Sequence, residues 1–220
     1  MVPNMPIEEI IIVGGGLSVS EGLLLGLKSL IKDKCVLGCN YAFKHFDLTA
    51  LCFTDSGFYK TKDPVRNPDI YEELSHLPLI IGLDKNPRLP IHPNTIIIKQ
   101  PKTTIINKCP VTGLFALAIA EKLEPKNIFL LGFDWTVEGN THYYEDTKHR
   151  GIGYTKFFKK HNPISYFKYF DNSKSKIYNV SPSSNISNFE KINYKKMFEL
   201  LSIQTFNQDI LRQNIKDLLK

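Results

Sequence analysis

Cysteine, tryptophan and long apolar runs are all scarce in this chain, and each scarcity excludes something. Its thiols are Cys35, Cys39, Cys52 and Cys109. Three of them lie in or beside strand-like segments, where a free cysteine behaves as a small hydrophobe and not as half of a disulfide framework. Cys35 and Cys39 have three residues between them, but no second Cys/His pair at zinc-ligand spacing follows, which argues against a metal site. No secretory signal pattern and no apolar stretch of membrane-spanning length is present, so residence in the cytoplasm is the expectation. There is no internal repeat. The G-x-x-x-x-G-K-[ST] loop is missing too, which disfavours a Walker-type NTPase.

What is present describes a folded protein. The 220 residues are 42% hydrophobic and 23% charged, enough to bury a core within one domain of ordinary size. A net charge of +6 and an isoelectric point near 9.0 favour anionic partners such as nucleotides, nucleic acid or acidic glycans. Apolar runs predict strands at Glu8–Val13, Cys35–Cys39, Ala50–Thr54, Leu79–Leu83, Thr95–Lys99, Asn127–Leu131 and Lys176–Val180. Helices are expected from Ser18 to about Lys32, over Pro110–Leu123 (apolar on all sides), around Asn188–Leu201, and over Thr205–Leu219. Ser18 and Glu21 fit an S-x-x-E capping box at the first of these. Strands alternating with helices imply an α/β fold with a mostly parallel sheet covered on both faces. The proline-rich stretch from Asp63 to Pro101 reads as long connections. A nucleotide-binding domain is expected over 1–201 and a C-terminal helix over 202–220. The apolar stripe Phe206, Ile210, Ile215, Leu218 and Leu219 of that helix would pack on the domain or on a second copy.

Candidate chemistry falls at strand ends. Gly14, Gly15 and Gly16 follow the first strand and lead into Ser18. Glycines there let a backbone approach a phosphate, which the following helix start would meet with free amides. The bland alternative is a tight strand-to-helix turn. The run lacks the third glycine of a dinucleotide fingerprint, and Asn40 stands where a dehydrogenase needs an acid. Asn40, Asp55, Thr112 with Gly113, and Asp134 each follow a strand or open a helix, so a parallel sheet would bring them towards the glycine loop. Tyr143 and Tyr144 offer hydroxyls to a leaving phosphate. Lys148, His149 and Arg150 offer charge, although such a run is ordinarily a solvated face. His161, in Lys159-Lys160-His161-Asn162-Pro163, is a candidate general base.

Val13-Gly14-Gly15-Gly16-Leu17-Ser18, Gly38-Cys39-Asn40, Phe53-Thr54-Asp55, Thr112-Gly113 and Gly132-Phe133-Asp134-Trp135 occur in an order that resembles the bacterial sialyltransferase-like enzymes. A related group of phage and bacterial proteins is similar. The resemblance covers about residues 8 to 190. It implies a Rossmann-like, GT-A-like single domain and a metal-independent, inverting glycosyltransferase. The enzyme would need no cofactor, would take a nucleotide sugar as donor and a glycan or other hydroxyl as acceptor, and would work in the cytoplasm of a bacterial or phage-infected cell. On the same basis the glycine loop and Asn40 would contact phosphate and ribose, and Asp55 and Thr112 would hold the nucleotide. Trp135 and Tyr143 or Tyr144 stand at or near the places of two phosphate-binding tyrosines, and His161 at that of the catalytic base. Two departures stand out: Trp135 has no hydroxyl, and Asp55 replaces an amide, which points away from sialic acid itself. The absence of a D-x-D pair agrees with metal-free chemistry. Two alternatives stay open. One is a transferase acting on modified DNA bases, suggested by lysines interleaved with aromatics between Tyr154 and Tyr169. The other is a magnesium- and ATP-dependent diphosphokinase for a pterin-like alcohol.

Overall fold

Ile10, Ile11, Ile12 and Val13 are all fully buried, which a strand achieves only when both faces of its sheet are covered. The computed structural model describes residues 6–54, 70–83, 93–98, 111–135, 143 and 162–219. Its centre is one sheet of eight strands: β1 (Glu9–Val13), β2 (Cys35–Cys39), β3 (Ala50–Phe53), β4 (Ile80–Leu83), β5 (Thr95–Ile98), β6 (Asn127–Leu131), β7 (Lys176–Asn179) and β8 (Glu190–Lys191). The order is β5-β4-β3-β2-β1-β6-β7-β8, and every neighbouring pair runs parallel. This is a Rossmann-like α/β fold.

Alternate side chains of the central strands enter two separate cores. Ile10, Ile12, Cys35, Leu37, Ile128 and Leu130 join the first. Ile11, Val13, Val36, Phe129 and Leu131 join the second. Among the described residues the α-helices are α1 (Ser18–Leu24), α2 (Leu27–Leu30), α3 (Ile70–Ser75), α4 (Thr112–Lys122), α5 (Tyr194–Leu200) and α6 (Gln208–Leu219). Helix α4 covers the first core and is buried from Leu114 through Ala120, as its all-round apolar sequence requires. Helices α1, α2 and α5 supply Val19, Leu27 and Met197 to the second core.

Three expectations need correction. The helix opened by Ser18 does not continue to Lys32: Gly26 adopts a left-handed conformation with φ 82°, which splits it into α1 and α2. The capping box does not form either, since Leu17 is the cap residue and no side chain caps it locally. Finally, the stretch expected to open a helix at Asn188 contains the two-residue strand β8, and α5 begins later, behind an Asn193 side chain that accepts from the Lys196 amide at 2.8 Å. Cys35, Cys39 and Cys52 are buried and free. Burial pushes the first two thiols up to about 12, in keeping with their reading as small hydrophobes. Cys109 lies outside the described residues.

The sheet edge opposite the strand ends is sewn to the C-terminal segment. Lys34 and Glu9, both buried, pair at 3.0 Å. The Lys34 ammonium also donates to the carbonyls of Ser202 and Gln204, and the Ser202 amide donates to Glu9 Oε2 at 3.0 Å. Arg212 then donates to the carbonyls of Thr49 and Leu48. Leu211 and Ile215 bury α6 against the first core, with Phe206 and Leu219 alongside. Of the expected stripe, Phe206, Ile215 and Leu219 pack on the domain, while Ile210 and Leu218 stay exposed. Removing one partner of a buried pair strands the other charge. Lys34→Met is thus expected to lose about 3–5 kcal/mol in a urea titration, and the double variant Lys34→Met with Glu9→Gln to recover much of that. An unchanged midpoint in the single variant would contradict this account of the edge.

Candidate functional site

Successive connections from β1 move one way across the sheet, and the chain then returns to place β6 on the other flank of β1. The crevice beyond the carboxyl ends of β1 and β6 is the switch point at which ligands of such sheets gather. Here the two strand ends are laced together. The Gly14 amide donates to the Leu131 carbonyl at 2.7 Å and the Gly16 amide to the Gly132 carbonyl at 2.9 Å. Asp134, buried at the end of β6, accepts from the Ser18 amide at 2.9 Å and from the Ser18 hydroxyl. The capping acceptor of α1 therefore comes from across the sheet, which explains why Glu21 does not fill that role. A Cβ on Gly16 would lie 2.5 Å from Asp134 Oδ2 and 2.7 Å from the Gly132 carbonyl. The glycine at this position is accordingly demanded by contact within the protein. The positive end of α1 already holds a carboxylate.

The neighbouring edge is built differently. Asn40 follows β2 with φ 51°, a left-handed conformation that asparagine tolerates better than most residues. Its side-chain oxygen accepts from the Thr112 hydroxyl at 3.3 Å. That hydroxyl in turn receives the Thr54 amide at 3.3 Å and lies 3.2 Å from the Thr54 hydroxyl. Asn40 after β2, Thr54 after β3 and Thr112 at the start of α4 thus form one polar cluster. Helix α4 starts after Val111 with no side-chain cap and no acidic residue in its first turn. Among the described residues no side chain accepts from its first amides, in contrast to those of α1, which meet Asp134. Gly113 sits where a Cβ would come within 2.9 Å of the Phe133 ring.

Tyr143 joins this edge through its backbone, whose amide donates to the Gly15 carbonyl at 3.0 Å. Its ring stands edge-on to His45 at 5.3 Å and to Phe46 at 6.4 Å between centroids. Burial, then the nearby Cys39, raises its hydroxyl well above the usual tyrosine range. Trp135, left-handed at φ 51°, presents its ring edge-on to Phe167 at 5.3 Å. Its carbonyl accepts from Asn185 at 2.8 Å, and the Asp134 carbonyl accepts the Asn185 amide at 3.0 Å. The loop after β6 is therefore held in place from the far side by the segment after β7.

Two residues here were not singled out in the sequence. His45 ends the 3-10 turn Asn40–Lys44. Burial first, then the positive charges of Lys28 and Lys44, lower its pKa. Tyr194 is buried against Gly22, where a Cβ would meet its ring at 2.5 Å. Burial, then Asp134, Glu21 and Tyr143 in that order, raises its hydroxyl above the tyrosine range, and that hydroxyl has no hydrogen-bond partner among the described residues. The folded chain thus gathers Gly14, Gly15, Gly16, Ser18, Asp134 and Tyr143 at the switch point, and Asn40, Thr112 and Gly113 beside it. Asp55, Tyr144, Lys148, His149, Arg150, Tyr154 and His161 lie outside the described residues. Among the described residues no three His, Cys, Asp or Glu side chains lie together in a way that would hold a metal ion.

Comparison of the chain with family models, curated proteins and solved structures finds no match.

His45 generates a pH prediction. Because its folded pKa lies below the ordinary value of 6.5, the unfolded chain binds the proton first as pH falls. The neutral ring's contribution to stability is full above about 6.5 and is lost on acidification below it. Thermal melts at about pH 7.5 and about pH 5.5 are expected to show a smaller acid-induced loss for His45→Gln than for the parent chain. Equal losses would mean that His45 titrates alike in both states.

Proposed function

We propose that the protein is a glycosyltransferase that moves a sugar from a nucleotide-activated donor to a hydroxyl acceptor by direct, inverting displacement. One observation carries the reading furthest. The Asn40–Thr54–Thr112 cluster and the start of α4, uncapped among the described residues, lie beside a switch point whose other helix start is already occupied by Asp134. A donor phosphate has little reason to sit against that carboxylate. The start of α4 offers amides and a hydroxyl at the same sheet edge. In this reading the nucleotide lies over the ends of β2 and β3. Asn40 and Thr112 hold it, and Tyr143 approaches from the glycine loop.

In the displacement, an acceptor oxygen bonds to the anomeric carbon as the bond from that carbon to the phosphate oxygen breaks, and the nucleotide leaves with the bonding electrons. His161 would take the proton of the acceptor hydroxyl. Tyr143 or Tyr144 would donate to the departing phosphate, and nearby lysine or arginine side chains would balance the charge that a cation carries in other transferases. The acceptor stays open between a glycan and a nucleic acid. Exposed Lys168, 5.8 Å above the ring of Tyr169, gives the second some support.

The test is nucleotide release from CMP-, UDP-, GDP- and dTDP-sugars and from ATP, with and without EDTA. EDTA-resistant release from one sugar nucleotide is expected. His161→Ala should lower turnover by roughly 10²–10⁴, and Thr112→Val should weaken nucleotide binding. Hydrolysis of ATP alone, abolished by EDTA, would replace this reading with the diphosphokinase.

A further inference from the structure

From Gly22 to Lys32 the chain contains no acidic residue. The exposed side chains of this stretch are Leu24, Leu25, Lys28, Ser29, Leu30 and Lys32. Leu24 is 89% exposed, and Leu25 and Leu30 about half, so three large apolar groups stand in water in a stretch whose only charges are Lys28 and Lys32. The left-handed Gly26, with open space where a Cβ would be, ends α1 and leaves the Leu24–Leu25 pair projecting at the corner. Helix α5 extends this face. Leu25, Lys195, Phe198 and Glu199 line a shallow apolar groove, and Lys196 pairs with Glu199 at 3.2 Å. On α1, α2 and α5 and the residues that follow α2, the exposed lysines Lys28, Lys32, Lys195 and Lys196 outnumber the exposed acids Glu21, Asp33 and Glu199, the last of them paired with Lys196.

We propose that this α1–α2–α5 face docks the protein on an anionic lipid bilayer. Exposed leucines in a segment that also carries exposed lysines match an interface at which alkyl groups enter the headgroup boundary while ammonium groups stay with lipid phosphates. Charge decides the occupant. A two-fold interface with a second copy would set these lysines against their own images, whereas an anionic bilayer is complementary to them. At seven and four residues, α1 and α2 lie on the bilayer and do not cross it. The inference does not depend on the transferase reading.

Co-sedimentation of the full chain with phosphatidylglycerol-containing vesicles, compared with pure phosphatidylcholine vesicles, tests it. Binding to the anionic vesicles alone, weakened by salt, is expected. Leu24→Asp with Leu25→Asp should reduce the bound fraction about tenfold or more, and Lys28→Glu with Lys32→Glu should also reduce it. These side chains are exposed, so unchanged thermal melts are expected to show that the variants fold. No binding to anionic vesicles overturns the proposal, as does equal binding by parent and variants. A lipid-free dimer in sedimentation velocity, abolished by the leucine pair of substitutions, would reassign the face to self-association.

Discussion

The carboxylate of Asp134 is the contact on which the functional edge depends. It reaches from the end of β6 to the first amide and hydroxyl of α1, and so joins the two strands between which the sheet's direction of travel reverses. Its position demands a glycine at residue 16, where any side chain would collide with it. The loop that carries it is anchored by Asn185, through the carbonyls of Asp134 and Trp135. A carboxylate at a helix start also decides electrostatics, because the partial charge there is spent within the protein. The start of α4 has no side-chain acceptor among the described residues. Asn40, Thr54 and Thr112 are already arranged there as a hydroxyl and amide cluster.

The opposite edge of the sheet has the complementary character. There the buried Lys34–Glu9 pair and the carbonyls of Ser202 and Gln204 bind the C-terminal segment to the starts of β1 and β2. Arg212 continues the stitching along α6. With that edge closed by the chain itself, the ends of β1, β2, β3 and β6 are where binding chemistry collects. The two left-handed non-glycine residues that directly follow β2 and that close the loop after β6, Asn40 and Trp135, both lie on this side, where backbone strain commonly accompanies function.

Much of the scaffold was legible in the sequence. Cys35–Cys39 and Asn127–Leu131 form strands with the expected boundaries, because short β-rich apolar runs flanked by polar residues have few other ways to bury both faces. Helix α4 was legible for a related reason: only a helix covered on all sides tolerates such a composition. Local pattern misled where a distant partner competes. Ser18 and Glu21 have capping-box spacing, but a carboxylate 116 residues away takes the serine. Gly26 lies inside a good helical pattern and breaks it through its own φ. The strand β8 is too short to carry a signal of its own. Of the candidate site, the glycine loop, Asn40, Thr112, Asp134 and Tyr143 do converge at the strand ends. Tyr194 and His45 were invisible because their significance comes from what packs on them: Tyr194 reads as an ordinary helix residue and His45 as part of an aromatic turn.

A titration of the backbone amides reads directly where a nucleotide sits. The ¹⁵N-labelled protein in EDTA would be titrated with CMP, UDP, GDP and dTMP while its assigned amide resonances are followed. The account predicts that the nucleotide that binds shifts Asn40, Thr112 and Gly113 most and leaves the Gly16 and Ser18 amides, held by Gly132 and Asp134, nearly still. Large shifts at Gly16 and Ser18 with Thr112 and Gly113 unmoved would contradict it, and would return the phosphate to the glycine loop.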